Sequence, residues 1–411
     1  MANRAIVFVL NLLQDVNVVR PLVYVAARET DANIVFLISG RFLERDRTKI
    51  WQREIGQMCA DTSAAFYIYE TPLDAFALLQ GRGGLLIAAS ESNLSAHADT
   101  HNVFRIAPSS FLKITLQHGY ECVGFLQNRE HINAHGRNIT FAADVVCGWL
   151  EASALTALVP SERPKLYVSG PPSVLQAPVC GPNHPPIAGG MVCENLHSVR
   201  MKASTEVLPT FMETFFQMCR TLGAYGRGIT LRPHPGGQYV LKNKVALPPN
   251  ITLNNLPFYR VDLARYEFGI SAPSTVVIDM LLAGIPTAVW VDAFGAVDAS
   301  NYEGLTQVTQ LADWLAFARD AVLRRDAVLA RQSEFLDQLK MPRDPKDVYR
   351  RFAQLLANSD AVAPLSRGAE EPPARICEPP PWPHLPPGVL SASAARLVPG
   401  PSPEPITVNP Q

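Results

Sequence analysis

The chain has 411 residues, 47% hydrophobic and 18% charged, with 36 basic side chains against 37 acidic ones and a formal net charge of −1. That balance supplies no global basic field for nucleic acid or an anionic membrane, and no apolar run reaches the roughly 18 residues of a spanning helix. The seven cysteines are scattered without a C-x-x-C pair, which predicts a reduced, cytoplasmic protein without a zinc site.

In chain order, Ala5 to Leu10 predicts a first strand rather than a signal peptide, because the apolar stretch is short and Asn11, Gln14 and Asp15 follow at once. Apolar or β-branched runs recur at Ile34 to Ile38, Ala65 to Tyr69, Leu85 to Ala88, Lys113 to Leu116 and Val145 to Trp149. Helix-like stretches such as Thr48 to Cys59 and Leu73 to Gln80 lie between several of them. Near-continuous apolar strands alternating with helices indicate a parallel sheet covered on both faces. Lys165 to Ser169 closes this half, and Gly170-Pro171-Pro172 opens a Pro- and Gly-rich stretch that reads as a linker to Gly190.

The alternation restarts with a strand at Met191 to Glu194, followed by a helix from about Ser204 to Leu222, which Pro209 kinks or starts. Strands are expected at Gly228 to Arg232, Phe268 to Ser271 and Thr287 to Val291, and helices over Thr275 to Ala283, Gln310 to Leu339 and Val348 to Leu356. Fourteen of the 35 prolines fall in residues 361–411, where apolar patterning stops, so a disordered or extended tail is expected. The expected organisation is an α/β chain of two Rossmann-like domains, 1–170 and 191–358, a linker at 171–190 and a Pro-rich tail at 359–411.

Four polar motifs carry candidate chemistry. Leu231-Arg232-Pro233-His234-Pro235 ends a strand, and its prolines stiffen the exit around His234. The imidazole could donate to a phosphate oxygen and Arg232 could add charge; the plainer alternative is a turn with an incidental histidine. Ser271-Ala272-Pro273-Ser274-Thr275 precedes an apolar helix, where Ser274 and Thr275 cap the first turn and its free N–H groups favour an anion.

Gln117-His118-Gly119-Tyr120-Glu121 follows a first-half strand, with His118 a candidate base and Glu121 a candidate base or nucleophile. Cys193-Glu194-Asn195-Leu196-His197-Ser198 supplies a second carboxylate, Glu194, and donor-binding candidates Asn195 and Ser198. Arg200 and Arg260 suit anionic groups or plain surface solvation equally well. His131 and His135 read as part of a polar loop rather than a metal pair. There is no Asp-x-Asp signature, no G-x-S-x-G elbow, no Walker loop and no G-x-G-x-x-G after the first strand.

The His-Gly turn, the Arg-x-His-Pro strand end and the Ser-Thr helix start together resemble GT-B glycosyltransferases of bacterial surface polysaccharides. The His-Pro and Ser-Thr pair is similar to the donor motifs of bacterial sialyltransferases and Kdo transferases, and the layout also resembles CDP-glycerol glycerophosphotransferases. Gln117-His118-Gly119-Tyr120-Glu121 and Cys193-Glu194-Asn195 look most like retaining β-Kdo transferases of capsule and lipopolysaccharide O-antigen assembly. The acidic D/E-D/E-G motif of many sialyltransferases is missing.

That resemblance implies a metal-independent transferase without a cofactor, which moves an acidic sugar, Kdo, from its CMP ester to a glycan or glycolipid acceptor. By it, Arg232, His234, Pro235, Asn195, Ser274 and Thr275 would hold the nucleotide, and Glu121, His118 or Glu194 would work at the reacting carbon. The implied place is the cytoplasm, with a peripheral seat on the inner membrane as the alternative. Rival expectations are CDP-glycerol transfer, UDP-sugar 2-epimerisation and a non-catalytic nucleotide-binding scaffold.

Overall fold

A computed structural model describes residues 3–176 and 187–360. The middle of the expected linker and nearly all of the expected tail lie outside the described residues.

The first half forms a parallel sheet of seven strands: β1 (Asn3–Leu10), β2 (Asn33–Ser39), β3 (Ala65–Tyr69), β4 (Arg82–Ala88), β5 (Phe111–Leu116), β6 (Val145–Gly148) and β7 (Leu166–Val168). Their order is β3-β2-β1-β4-β5-β6-β7. Side-chain direction along β1 explains why its sequence is apolar throughout. Val7 and Val9 enter the core on one face of the sheet, while Ile6, Phe8 and Leu10 enter the core on the other. Each such burial contributes about 1.5–3 kcal/mol relative to exposure, so the strand has no polar side to show.

The second half repeats the plan with β8 (Ile187–Cys193), β9 (Gly228–Arg232), β10 (Ile251–Leu253), β11 (Tyr266–Ser271), β12 (Thr287–Trp290) and β13 (Thr306–Val308). The order β10-β9-β8-β11-β12-β13 has the same central reversal as the first sheet. In such sheets ligands settle beyond the carboxyl ends of the strands, where the order reverses. The two reversal points are β1/β4 and β8/β11.

Three details differ from the sequence expectation. The helix expected from Ser204 begins at Val207 and runs to Ala224, with Pro209 in its first turn, where its missing N–H has no helical acceptor to lose. The stretch Gln310 to Leu339 is two helices, Leu311–Leu323 and Arg325–Gln338, which meet at Arg324.

Most consequential is the helix Pro345–Ala357, started by the Asp344 carboxylate accepting from Lys346 N and Asp347 N. The sequence reading assigned it to the second domain. Its Val348, Phe352, Leu355 and Leu356 instead pack into the first sheet's core, beside Val19 and Leu22 of the helix Asp15–Glu29. The chain therefore crosses between the halves twice.

Candidate functional site

A cleft of about 850 Å³ opens between the two sheets. Residues just past β5, β6, β8, β9 and β11 line it, among them His118, Trp149, Glu194, His234 and Thr275. Six of the nine histidines of the chain, His97, His118, His131, His135, His197 and His234, are on its wall, so protonation states decide what the cleft can bind.

On the second-half wall the exit from β9 fixes His234. Its Nδ1 accepts from the backbone N–H groups of Gly236 at 3.1 Å and Gly237 at 3.2 Å. A nitrogen that accepts two hydrogen bonds carries no proton, so the neutral ring holds its proton on Nε2. Burial, with His197 and Arg232 nearby, pushes the His234 pKa well below the ordinary value, so the ring stays neutral. Its ring centroid is 4.0 Å from that of His197. Gly237 permits this packing, because a Cβ there would meet His197 Nδ1 at 2.4 Å.

Arg232 is 6% exposed, donates from Nη1 to Leu256 O at 2.5 Å and lies over the Phe258 ring, 5.0 Å from its centroid. It is a buried cation under the His234 turn rather than a free surface charge. Pro235 lines the cleft next to it.

Ser274 is the N-cap of the helix Thr275–Leu282, extended at φ −167°, and its hydroxyl makes no capping bond. Thr275 is committed elsewhere: its Oγ1 accepts from Tyr120 N, at 3.0 Å, on the opposite half. Asn195 Nδ2 and Arg200 Nη1 both donate to Pro273 O, at 3.2 and 3.0 Å, which holds the segment before this helix from below.

The His-Gly turn on the first half is shaped by the buried Gln117. Its Nε2 donates to Gly119 O and Tyr120 O at 2.8 and 3.1 Å, and its Oε1 accepts from Trp149 N at 2.8 Å. His118 then lies at the cleft wall with Nδ1 3.0 Å from Ala89 O. Only a protonated Nδ1 can bond a carbonyl, so in the neutral ring Nε2 is the basic nitrogen.

The two carboxylates proposed from sequence are both occupied. Glu121 accepts from Arg200 Nη2 at 2.5 Å and from Asn301 Nδ2 at 2.7 Å, with the Glu121 and Arg200 side chains 3% and 4% exposed. Glu194 accepts from Tyr239 N at 2.7 Å and Val240 N at 3.0 Å, so both its oxygens tie the β8 exit to the short helix Tyr239–Lys242. Burial raises the Glu194 pKa against those two amides. Arg200 and Arg260 are not surface cations: Arg260 Nη2 pairs with Glu54 of the opposite half at 3.1 Å. His131 and His135 stand on a helix, Arg129–His135, with ring centroids 6.4 Å apart, and not in a loop.

Three solved structures of the same shape decide the fold. A wall teichoic acid polymerase, TagF, matches with a TM-score of 0.56 and 10% identity over 88% of this chain and 89% of that one. A putative UDP-N-acetylglucosamine 2-epimerase from Listeria monocytogenes matches at 0.54 and 11%, over 85% and 95%. The glycotransferase of kitacinnamycin matches at 0.50 and 13%, over 87% and 97%. No protein-family model and no curated protein matches the sequence.

The chain has a GT-B fold.

Several residues that shape this GT-B cleft were given no role from sequence. Asp15, after β1, accepts from Asn11 N at 2.9 Å, Leu12 N at 2.8 Å and the Ser90 hydroxyl, which gathers the ends of β1 and β4. His97 is buried with Nδ1 2.7 Å from Ser92 Oγ, and its ring meets that of His118 edge to face at 5.6 Å. Cys122 lies four residues after His118 with its sulfur against the ring. The four-residue spacing from His118 is the one signal that could have flagged Cys122; nothing in the sequence flags the others.

Proposed function

We propose that the chain is a glycosyltransferase that takes its sugar from a nucleotide ester held by the second half. Its donor is a CMP-activated acidic sugar, Kdo, and its acceptor a bacterial surface glycan or glycolipid. The observation that carries this reading is the His234 tautomer. Two backbone amides on Nδ1 leave an Nε2–H donor on the wall of the same cleft that the first turn of the helix at Thr275 lines, and phosphate is the ligand such donors suit. A leaving nucleotide monophosphate gains negative charge as the glycosidic bond breaks, and fixed neutral donors stabilise it without reorganisation.

On the first half His118 presents Nε2 to take the acceptor proton, and because its pKa is raised to about 9 the neutral, basic form gains population as pH rises toward that value. Glu121 and Glu194 already hold a guanidinium and two amides, so direct displacement with His118 as base is preferred over a covalent glycosyl intermediate. Arg232, Asn195 and Pro235 serve by holding the donor wall in shape. No step in this reading uses a metal ion or a cofactor, and the reaction takes place at the cytoplasmic face of the inner membrane or in the cytoplasm itself.

A second reading, transfer of glycerol phosphate from CDP-glycerol, is favoured by the same free imidazole and by the likeness to the teichoic acid polymerase. Turnover assays with CMP-Kdo, CDP-glycerol and UDP-N-acetylglucosamine separate them. Consumption of CMP-Kdo alone supports the first reading, consumption of CDP-glycerol alone replaces it with the second, and conversion of the uridine sugar without an acceptor overturns both.

A further inference from the structure

The first sheet ends in an apolar edge. β3 has β2 on one side and, among the described residues, no strand on the other. Across the sheet, Ile87, Phe8, Phe36 and Phe66 stand side by side in one row, and Leu10, Ile38 and Ile68 in the next. The inner members of both rows are at most 4% exposed, whereas Phe66 is 55% and Ile68 48% exposed. The rows of the core therefore run out into solvent at these two side chains. Ala65-Phe66-Tyr67-Ile68-Tyr69 holds neither a charge nor a proline, the devices that usually protect such an edge.

We propose that β3 pairs antiparallel with β3 of a second copy of this chain, about a twofold axis at Tyr67, joining the two first-half sheets into one. An axis there sets Phe66 opposite the second copy's Ile68, and Ala65 opposite its Tyr69, so all five residues of the strand are engaged. Directly opposite side chains in such a ladder lie about 4.5–5.5 Å apart, and each apolar row continues into a row of the other copy. The outward N–H and C=O groups of the edge gain partners at the same time. An unrelated strand would have to match this pattern, whereas the chain's own β3 matches it by symmetry. The pairing lies away from the cleft and does not depend on the transferase reading.

The helix that flanks this edge leaves room for the second copy. Ile50–Thr62 covers the same face of the sheet, with Trp51, Ile55 and Met58 in the core that holds Phe8 and Phe36. Its carboxylates Glu54 and Asp61 are turned away from the edge, to Arg260 and to Tyr24 of the helix Asp15–Glu29. Helical spacing then puts Gln52, Gly56 and Ala60 toward the edge. Gly56 and Ala60 are exposed, and a Cβ on Gly56 would meet nothing within 4 Å. Across the axis the two helices therefore present small, uncharged side chains to each other, with the pairs of Phe66 and Ile68 beneath them.

The test is sedimentation of the full chain over a range of concentrations, with Phe66→Glu/Ile68→Glu beside wild type. Both positions are exposed, so the variant should melt like wild type. Its dimer dissociation constant should rise roughly a hundredfold or more, because carboxylates replace apolar groups and face each other across the axis. Phe66→Cys/Ile68→Cys reads the register itself: under mild oxidation it should cross-link into a dimer far faster than wild type or either single substitution. A wild type that stays monomeric, a dimer unaffected by the paired glutamates, or equal cross-linking in the single and double variants overturns the proposal. A monomer whose 65–69 amides are nonetheless protected from exchange overturns it too, and gives the edge to another segment of the same chain. None of these readouts needs a substrate, so a failure of the transferase reading leaves them interpretable.

Discussion

The side-chain oxygen of Thr275 accepts a hydrogen bond from the backbone N–H of Tyr120 at 3.0 Å, joining the helix Thr275–Leu282 of one half to the His-Gly turn of the other. Between them, Gly119 leaves space that no other residue would leave: a Cβ there would lie 2.4 Å from Thr275 Oγ1. Gly119→Ala should therefore push Thr275 away and strand the Tyr120 N–H. The expected result is a loss of about 1–3 kcal/mol of stability, the cost of one unsatisfied buried donor, together with weaker nucleotide binding. Denaturant melts and calorimetry on the variant check both; an unchanged protein would mean that the halves do not need this approach.

The buried pair Glu121–Arg200 spans the same junction. Removing one member leaves an uncompensated charge, so Glu121→Gln should cost on the order of 3 kcal/mol. Glu121→Gln combined with Arg200→Met should recover much of that in urea denaturation. If Glu121→Gln abolished turnover while leaving stability untouched, the residue would be a catalytic carboxylate and its assignment as a clamp would be wrong.

Glu194 predicts a local effect. Its two oxygens serve Tyr239 N and Val240 N, so Glu194→Ala should uncap the helix Tyr239–Lys242 at a cost of about 1 kcal/mol. Amide hydrogen exchange should quicken over residues 236–245 and stay unchanged in the first half. Uniform quickening would argue against a local tie.

Stability should fall in acid for an identifiable reason. Burial, followed by the charges of His118 and other cationic neighbours, lowers His97 to about 3; burial followed by Arg200 lowers His131 to about 4. A histidine with a lowered folded pKa contributes stability that is present above its unfolded value near 6.5. That stability is lost as pH falls through 6.5 toward the folded pKa, at up to about 1.4 kcal/mol per pH unit for each group. His118 has the opposite sign: its stabilisation is complete below about 6.5 and disappears as pH rises through about 9. His97→Gln should flatten the acid limb of a stability-against-pH curve and leave the alkaline limb in place.

Much of the fold was legible because burial on both faces writes itself into a strand such as β1, where every residue from Ala5 to Leu10 is buried. β10 and β13 were missed because three residues are too few to show a period. The helix Pro345–Ala357 displayed its apolar face in the sequence, but periodicity does not say which core receives it. The His234 turn was readable from its prolines. Arg200 was not, since its partner Glu121 is 79 positions away and charge alone does not reveal burial.

The central claim is that His234 and the helix start at Thr275 hold a nucleotide. Calorimetric titration of the full chain with CMP, CDP, UMP and UDP tests it most directly, with His234→Ala beside wild type. The account predicts selective CMP binding that weakens about tenfold in the variant, the loss of one hydrogen bond to a charged group. Preference for a uridine nucleotide, or affinity unchanged by the substitution, would contradict it.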